Sequence, residues 1–249
     1  MLGSGTSSGV PVIGCDCAVC RSSDPRNRRT RAGILLELER GNIVIDTSPD
    51  FREQALSRNL RRVDAVLYTH QHADHVFGLD DLRIFNFLQR SSIPCFGPVA
   101  TMERLRQIFA YVFDDSPEGG GKPKLEFHAV RARFELLGET VIPVPVLHGE
   151  MEVFGYRIGG FACVTDVSFI PESSFALLQG LDLLVLSALR YKRHPTHFSF
   201  EDAVAAARRI GAKRTLFTHI AHDVDHGKAE VELPPGIGIG YDGLVVELP

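Results

Sequence analysis

Runs of apolar and β-branched residues recur along the chain, and several of them end at a side chain that can bind a metal ion. Such runs, bounded by turn-forming residues, are typical of β-strands. They predict strands at 33–39, 42–48, 63–70, 139–149, 156–166, 181–189, 213–220 and 243–248. Four of the runs reach a potential ligand at or next to their last residue: His70, His148, Asp166 and His219. Because loops at strand ends carry function on a rigid scaffold, these ends are the first candidates for a site.

Helical periodicity appears in three segments, 48–60, 100–113 and 199–211. The last has Ser199 and Asp202 spaced almost as a capping box, and it ends at Gly211, a favourable C-cap. The Gly- and Pro-rich stretch 114–124 predicts a flexible loop. Strands alternate with helices, yet some strands follow one another as hairpins. This pattern predicts mixed sheets with helices outside, in a single domain spanning residues 1–249.

Composition narrows the class of protein. The chain has 249 residues, 44% of them hydrophobic, and a formal net charge of -4, which does not favour nucleic acid or a membrane surface as a bulk partner. No apolar run is long enough for a transmembrane helix, and the first residues lack the pattern of a signal peptide. We therefore expect a cytoplasmic protein with reduced thiols.

The segment "THQHADH", 69–75, concentrates four potential ligands. His70 and His72 are two residues apart at a strand end and can face one metal ion, whereas Asp74 and His75 begin a helix and should face a second. A catalytic zinc usually has three protein ligands plus water, so both sites need ligands from elsewhere. The distant strand-end residues His148, Asp166 and His219 can supply them, and an aspartate can bridge two metals. A solvated polar loop is the alternative, which this specific spacing disfavours.

Three of the five cysteines, Cys15, Cys17 and Cys20, have a Cys-x-Cys-x-x-Cys spacing. Thiolates this close together favour one zinc ion over a disulfide framework, with a fourth ligand from elsewhere. A closed tetrahedral site stabilises the fold and does not catalyse. Unliganded thiols are the alternative, but exposed clustered thiols are prone to oxidation.

These motifs together resemble the metallo-β-lactamase fold superfamily. Within it, they resemble the phosphodiesterase branch typified by the cyclic phosphate phosphodiesterase of the carbon–phosphorus lyase pathway (PhnP). The resemblance is carried in order by "LGSGTSSGVP", "CDCAVC", "HQHADH", "THFSFEDA" and "THIAHDVDH". It implies an α/β four-layer αβ/βα sandwich, with two mixed β-sheets, helices outside and metal ions at one edge.

The resemblance also implies roles for single residues. It assigns His70, His72 and His148 to a first metal ion, Asp74, His75 and His219 to a second, and Asp166 to both, with zinc or manganese as the metal. It assigns His222 as the fourth ligand of the structural zinc, with His226 as the rival. His197, before the helix that starts after Ser199, would contact phosphate or protonate the leaving group. We count Asp74 with His197 as catalytic, and rate His194 lower.

Two further features remain open from the sequence. Asp46, after the strand 42–48, could accept a hydrogen bond from a ligand histidine or could be a plain turn aspartate. The basic run "RNRRTR", 26–31, could meet substrate phosphates, but a solvated surface is the preferred interpretation.

The expected function is hydrolysis of small cyclic phosphate esters, such as a ribose cyclic phosphate or a 2′,3′-cyclic nucleotide, by a metal-activated hydroxide. The expected partner is a small phosphodiester, with no stable nucleic-acid complex and no membrane, and a homodimer is plausible. Three alternatives share the fold. They are an accessory protein resembling the B protein of pyrroloquinoline quinone biosynthesis, an RNA-processing nuclease and a thioester hydrolase.

Overall fold

The computed structural model describes residues 1–114 and 121–248. Its first sheet contains β1 (Ile34–Leu38), β2 (Gly41–Ile45), β3 (Ala65–Leu67), β4 (Ile93–Gly97) and β5 (Leu125–Ala129). Its second sheet contains β6 (Phe134–Leu136), β7 (Glu139–His148), β8 (Met151–Ile158), β9 (Phe161–Val164), β10 (Leu183–Ser187), β11 (Arg214–Thr218) and β12 (Ile237–Ile239). The α-helices are α1 (Phe51–Ser57), α2 (Ala73–Val76), α3 (Leu82–Gln89), α4 (Val99–Ile108), α5 (Glu172–Leu177), α6 (Phe200–Ile210) and α7 (His226–Glu232).

Both sheets combine an antiparallel part with a parallel part. In the first sheet the strand order is β1-β2-β3-β4-β5, and β1 and β2 form an antiparallel hairpin while β2 to β5 run parallel. In the second sheet β6 to β9 are antiparallel and β9 to β12 are parallel. Parallel strands end at the same edge of their sheet, so the loops that follow β2, β3, β9, β10 and β11 can meet there.

The side chains of each sheet alternate between two cores, as the period of a strand requires. On β2, Ile43 and Ile45 pack between the two sheets, whereas Val44 packs in the core of the first sheet's helices. On β10, Leu183 and Val185 face the other sheet, whereas Leu184 and Leu186 face the helices. Three apolar layers therefore separate helix, sheet, sheet and helix, which confirms the predicted four-layer α/β architecture.

The helix over 199–211 is confirmed with both of its caps. Ser199 and Asp202 form a reciprocal capping box, and Gly211 closes the helix with a φ of 69°. The segment 48–60 contains a shorter helix, α1, and the loop predicted at 114–124 falls mostly on residues 115–120, outside the described part of the chain. No helix in 1–114 or 121–248 combines the length and apolar content needed to cross a membrane.

Two strand predictions are wrong. The segment 156–166 is not one strand, because it turns at Gly159 and Gly160 between β8 and β9. Gly159 has a φ of 53° and a Cβ on Gly160 would lie 2.1 Å from Asp182 Oδ2, so this turn needs both glycines. The segment 243–248 forms no strand among the described residues, and the last strand is β12. Its apolar residues are only partly covered, with Val245 56% exposed.

Candidate metal centre

The candidate site lies at the edge where the strands of both sheets end. Asp46 follows β2, Asp166 lies two residues after β9, and His219 follows β11, while His148 is the last residue of β7. Asp46, Asp166 and His219 have positive φ angles of 61°, 51° and 59°. Non-glycine residues rarely adopt this conformation, and clusters of them occur at functional sites whose surroundings hold them there.

The first ligand group consists of His70, His72 and His148, whose ligand atoms all lie within 4.8 Å of one another. His70 Nε2 is 3.0 Å from His72 Nδ1, and the two rings lie 5.6 Å and 5.1 Å from the ring of His148. β3 ends at Leu67, so the loop after the strand, not the strand itself, brings His70 and His72 together. His72 is exposed and leaves this group open to solvent.

The second ligand group consists of Asp74, His75 and His219. Asp74 Oδ2 lies 3.3 Å from His75 Nε2 and 3.4 Å from His219 Nε2. Asp74 and His75 lie on the short helix α2, whose end is held close to the loop after β2. A Cβ on Gly78 would lie 2.1 Å from the carbonyl oxygen of Ser48, so only glycine permits that approach.

Asp166 lies between the two groups. Its Oδ2 is 2.5 Å from His75 Nε2 and 3.7 Å from His70 Nε2, and its Oδ1 is 3.0 Å from His219 Nε2. Although these atoms are close, neither carboxylate oxygen nor His75 Nε2 has a hydrogen bond of acceptable geometry within the described residues. Buried polar atoms that lie close together without hydrogen bonds destabilise the fold unless a cation binds between them. The residues therefore fit metal binding.

Electrostatics in this cluster favours ionised carboxylates. Burial opposes ionisation of Asp166, but His219 and His75 outweigh it and hold the pKa of its carboxyl well below the usual range. Burial likewise opposes protonation of His75, yet Asp166 and Asp46 raise the pKa of this imidazole well above its usual value. Burial lowers the pKa of His70, and the neighbouring His75 lowers it further. A metal ion would replace the proton on His75, so metal binding here is linked to proton release.

Asp46 is connected to both ligand groups. Its Oδ2 accepts a hydrogen bond from His75 Nδ1 at 2.7 Å and from the Thr69 hydroxyl at 2.8 Å, and its Oδ1 accepts one from the Thr69 backbone N–H. Because the Thr69 hydroxyl donates to Asp46, it accepts from His70 Nδ1 at 3.0 Å. One carboxylate thus orients a histidine in each group. Sequence reasoning proposed Asp46 but missed Thr69, whose position directly before His70 was the available signal.

His197 lies over the cluster. Its Nδ1 is 3.2 Å from Asp166 Oδ1, and its ring stacks on that of His219 at 5.0 Å and lies 4.5 Å from that of His148. A ring nitrogen of His197 therefore lies within 4.8 Å of ligand atoms of both Asp166 and His219. His148 Nδ1 donates to the Thr196 carbonyl at 2.6 Å, so the segment that carries His197 also holds a ligand histidine.

The cysteine cluster includes His222. The Sγ atoms of Cys15, Cys17 and Cys20 lie 3.3, 3.5 and 3.6 Å from His222 Nδ1. The backbone N–H of Cys20 lowers the pKa of the Cys17 thiol to about 6, while burial raises the pKa of Cys20 to about 11. Three thiolate sulfurs and one imidazole nitrogen in this arrangement fit a closed zinc site.

The rival ligand His226 lies elsewhere. It is fully buried, its ring packs edge-on against Tyr241 at 5.7 Å, and its backbone N–H donates to Asn27 Oδ1. The basic run is largely structural: Arg29 is buried and donates to the Ala221 and Val224 carbonyls, and Arg31 pairs with Asp50. Asn27 and Arg29 thus join the N-terminal loop to the chain that follows His219, and Arg31 joins it to the loop after β2.

A cavity of about 610 Å³ adjoins the first ligand group, and its lining residues include His72, His148, Glu150 and Thr196. A larger cavity, about 900 Å³, lies elsewhere and is lined by β1, β10 and the segment 244–248. None of the candidate ligands lines it, so the smaller cavity is the one that adjoins the candidate metal centre.

Comparison with known proteins identifies relatives of the whole chain. The family model described as the beta-lactamase superfamily domain matches residues 41–220. The crystal structure of a new diphosphatase from the PhnP family superposes with a TM-score of 0.93 at 45% sequence identity, covering 100% of this chain and 96% of that one. The ribonuclease Z of Methanopyrus kandleri is 33% identical over 270 residues, covering 90% of this chain and 94% of that protein.

A third relative is longer than this chain. The octanoyltransferase of Porphyromonas gingivalis is 39% identical over 249 residues, which cover 98% of this chain but only 50% of that protein. This chain therefore spans about half the length of that relative. The name of the longer protein does not by itself assign an activity to the shared half.

Proposed function

The chain belongs to the beta-lactamase superfamily, and we propose that it is a metal-dependent hydrolase that cleaves small phosphodiesters at a dinuclear metal centre within one catalytic domain. In this proposal His70, His72 and His148 hold the first ion, and Asp74, His75 and His219 hold the second. Asp166 contacts both, because its two oxygens approach histidines of each group. Zinc or manganese suits this donor set of imidazoles and carboxylates.

The chemistry at phosphorus is divided between the ions and the side chains. Divalent ions held by these residues would lower the pKa of a bound water and neutralise charge on phosphoryl oxygens. Asp46 and Thr69 orient the ligand histidines, and the low pKa of Asp166 keeps its carboxylate ionised. His197, 12% exposed in its side chain and next to the cluster, donates a proton or a hydrogen bond to the substrate's phosphate group.

The observation that carries the proposal is the convergence of these ligands with His197 beside an open cavity. The similarity to a PhnP-family diphosphatase supports a phosphoryl substrate. Within that class, small cyclic phosphates are the predicted substrates, and the name of that relative, a diphosphatase, makes a diphosphate the second candidate. We also propose a structural zinc at Cys15, Cys17, Cys20 and His222, distinct from the catalytic pair.

The test is steady-state hydrolysis by manganese-loaded protein of a 2′,3′-cyclic nucleotide, a ribose 1,2-cyclic phosphate and a nucleotide containing a diphosphate. The control is Asp166→Asn, since asparagine tolerates the left-handed backbone of this position, removes the negative charge and replaces one ligand oxygen by an NH2 group. Turnover of any of the three substrates that is lost in the control supports the proposal, and their rates rank the substrate classes. Metal-loaded protein that turns over none of them contradicts it.

RNA cleavage is a further candidate because of the 33% identity to a ribonuclease Z. Binding of tRNA by a phosphate-contacting protein should weaken steeply with salt. Cleavage of a precursor tRNA at moderate salt, with no turnover of the small phosphates, would replace the small-substrate proposal by this one. A net charge of -4 gives no electrostatic support to a large nucleic-acid interface.

A further inference from the structure

The loop of residues 190–196 borders the candidate site and is not used by the proposed mechanism. It is closed at its base, where Leu189 N–H donates to the Phe198 carbonyl and Phe200 N–H donates to the Arg190 carbonyl. Tyr191 anchors one side through a hydrogen bond to Glu232 and ring contact with Phe200 at 4.9 Å. The loop is therefore held in place next to His197.

The loop carries three basic residues that form no ion pair among the described residues. Arg190, Lys192 and Arg193 all belong to it, and none has a carboxylate within ion-pair distance among residues 1–114 and 121–248. By contrast, the Lys213 ammonium, elsewhere on the surface, pairs with Asp182 at 2.7 Å. Within the described part of the chain, Glu150 is the one acidic residue that lines the neighbouring cavity. A basic rim beside a site attracts an anionic ligand.

His194 has a defined hydrogen-bonding state. The backbone N–H of Thr196 donates to His194 Nδ1 at 3.4 Å, and the Thr196 hydroxyl lies 3.2 Å from the same nitrogen. Nδ1 is therefore the acceptor, so the proton of the neutral ring is on Nε2. That Nε2–H has no acceptor among the described residues. Burial lowers the pKa of this imidazole, and His197 and Arg190 lower it further, which favours the neutral ring.

His194 lies beside His197, and the residues that follow it line the cavity. The ring of His194 lies 5.2 Å from that of His197, and the ring of His197 in turn contacts those of the candidate ligands His148 and His219. Pro195 and Thr196 line the same cavity as His72 and His148, and the Thr196 carbonyl holds His148. The spacing between loop and ligand group is thus fixed by direct contacts.

We propose that the 190–196 loop binds a second, non-reacting phosphoryl group of the substrate, through the Nε2–H of His194 and the charges of Lys192 and Arg193. The site then prefers ligands with two linked phosphates to those with one. This inference rests on the proposed function, because it assumes that the reacting phosphate lies at the metal centre. Of the two substrate classes named above it favours the second, the diphosphate, and it names the residues that would select a diphosphate over a cyclic monophosphate.

Binding tests the inference without requiring turnover. The ratio of dissociation constants for AMP and α,β-methylene-ADP, which resists hydrolysis, is measured by calorimetry on the manganese-loaded protein. We expect α,β-methylene-ADP to bind about 10-fold more tightly, as one added hydrogen bond with charge assistance predicts. His194→Ala and the double variant Lys192→Gln/Arg193→Gln should each bring the ratio close to one. His194→Gln retains a hydrogen-bond donor near the position of Nε2 and should keep part of the preference for α,β-methylene-ADP.

The chain offers a matched control in a second Lys–Arg pair, Lys213 and Arg214, at the opposite end of β11 from His219. The double variant Lys213→Gln/Arg214→Gln should keep the wild-type ratio. A wild-type ratio near one, or a ratio that His194→Ala and the loop double variant leave unchanged, overturns the inference. The turnover assay tests the proposed function separately. If the protein hydrolyses none of the phosphate substrates, the proposed function fails whatever the ratio of dissociation constants.

Discussion

Replacing Asp46 with asparagine tests whether one carboxylate orients both ligand groups. Asparagine has nearly the same shape and tolerates the left-handed backbone at this position, whose φ is 61°. The substitution therefore changes the hydrogen bonding and the charge with little effect on the backbone. We expect it to weaken metal binding in both groups.

The size of the effect follows from three donors that converge on this side chain. Thr69 N–H donates to Oδ1, and the Thr69 hydroxyl and His75 Nδ1 donate to Oδ2. An amide offers only one oxygen, so in either orientation its NH2 group faces at least one of these donors. Losing a hydrogen bond to a charged acceptor costs about 1.5–3 kcal/mol. Metal affinity should then fall about 10- to 100-fold, in line with other changes to groups that orient metal ligands.

Chelator competition measures the affinity of each metal equivalent in wild type and variants. Asp242→Asn is a matched control, since Asp242 also accepts bonds from backbone N–H groups and hydroxyls, those of Ser4 and Thr30. It should lose stability but keep metal affinity. Thr69→Val removes the hydroxyl that reaches His70 and should weaken the first ligand group more than the second. If Asp46→Asn holds both equivalents within twofold of wild type, Asp46 does not orient the ligands.

Three further predictions concern separate parts of the molecule. His197→Ala should lower kcat for the phosphate substrate about 10²- to 10⁴-fold with unchanged metal content by elemental analysis; loss of a metal equivalent would instead identify a ligand. Cys17→Ser should release one zinc equivalent and lower Tm, whereas the control Cys95→Ser should keep the zinc. Equal zinc content in the two variants would exclude Cys17 as a zinc ligand. Burial lowers the pKa of His226 in the folded protein. Below about pH 6.5 the unfolded chain therefore binds a proton that the folded chain does not, and the free energy of unfolding decreases as the pH is lowered. His226→Phe should reduce this acid loss in thermal scans from pH 7.5 to 5.5, and the same substitution at the exposed His128 should not.

The sequence predicts what depends on local pattern and fails where distant contacts decide. The capping box at Ser199 and the hairpin of β1 and β2 are local, and both are present. The run 243–248 is as apolar as a strand, but whether it joins a sheet depends on a partner edge that it does not find. Strand-end placement led to His148 and Asp166, which the structure brings together with the cluster at 69–75. The bridging role of the Thr69 hydroxyl depends on the rotation of one side chain, which no pattern in the sequence reports.

The candidate ligands come from two regions of the chain that belong to different sheets. His70 to His75 follow β3 of the first sheet, whereas His148, Asp166 and His219 lie at or just after the ends of strands of the second. Neither sheet alone completes a three-ligand site in the second group, which needs His219. During folding, tight metal uptake must therefore await docking of the two sheets, and the rate of metal uptake during refolding reports that late step. Removing the metal with a chelator would break the link that the ligands form between the two sheets, and it should raise the rate of unfolding.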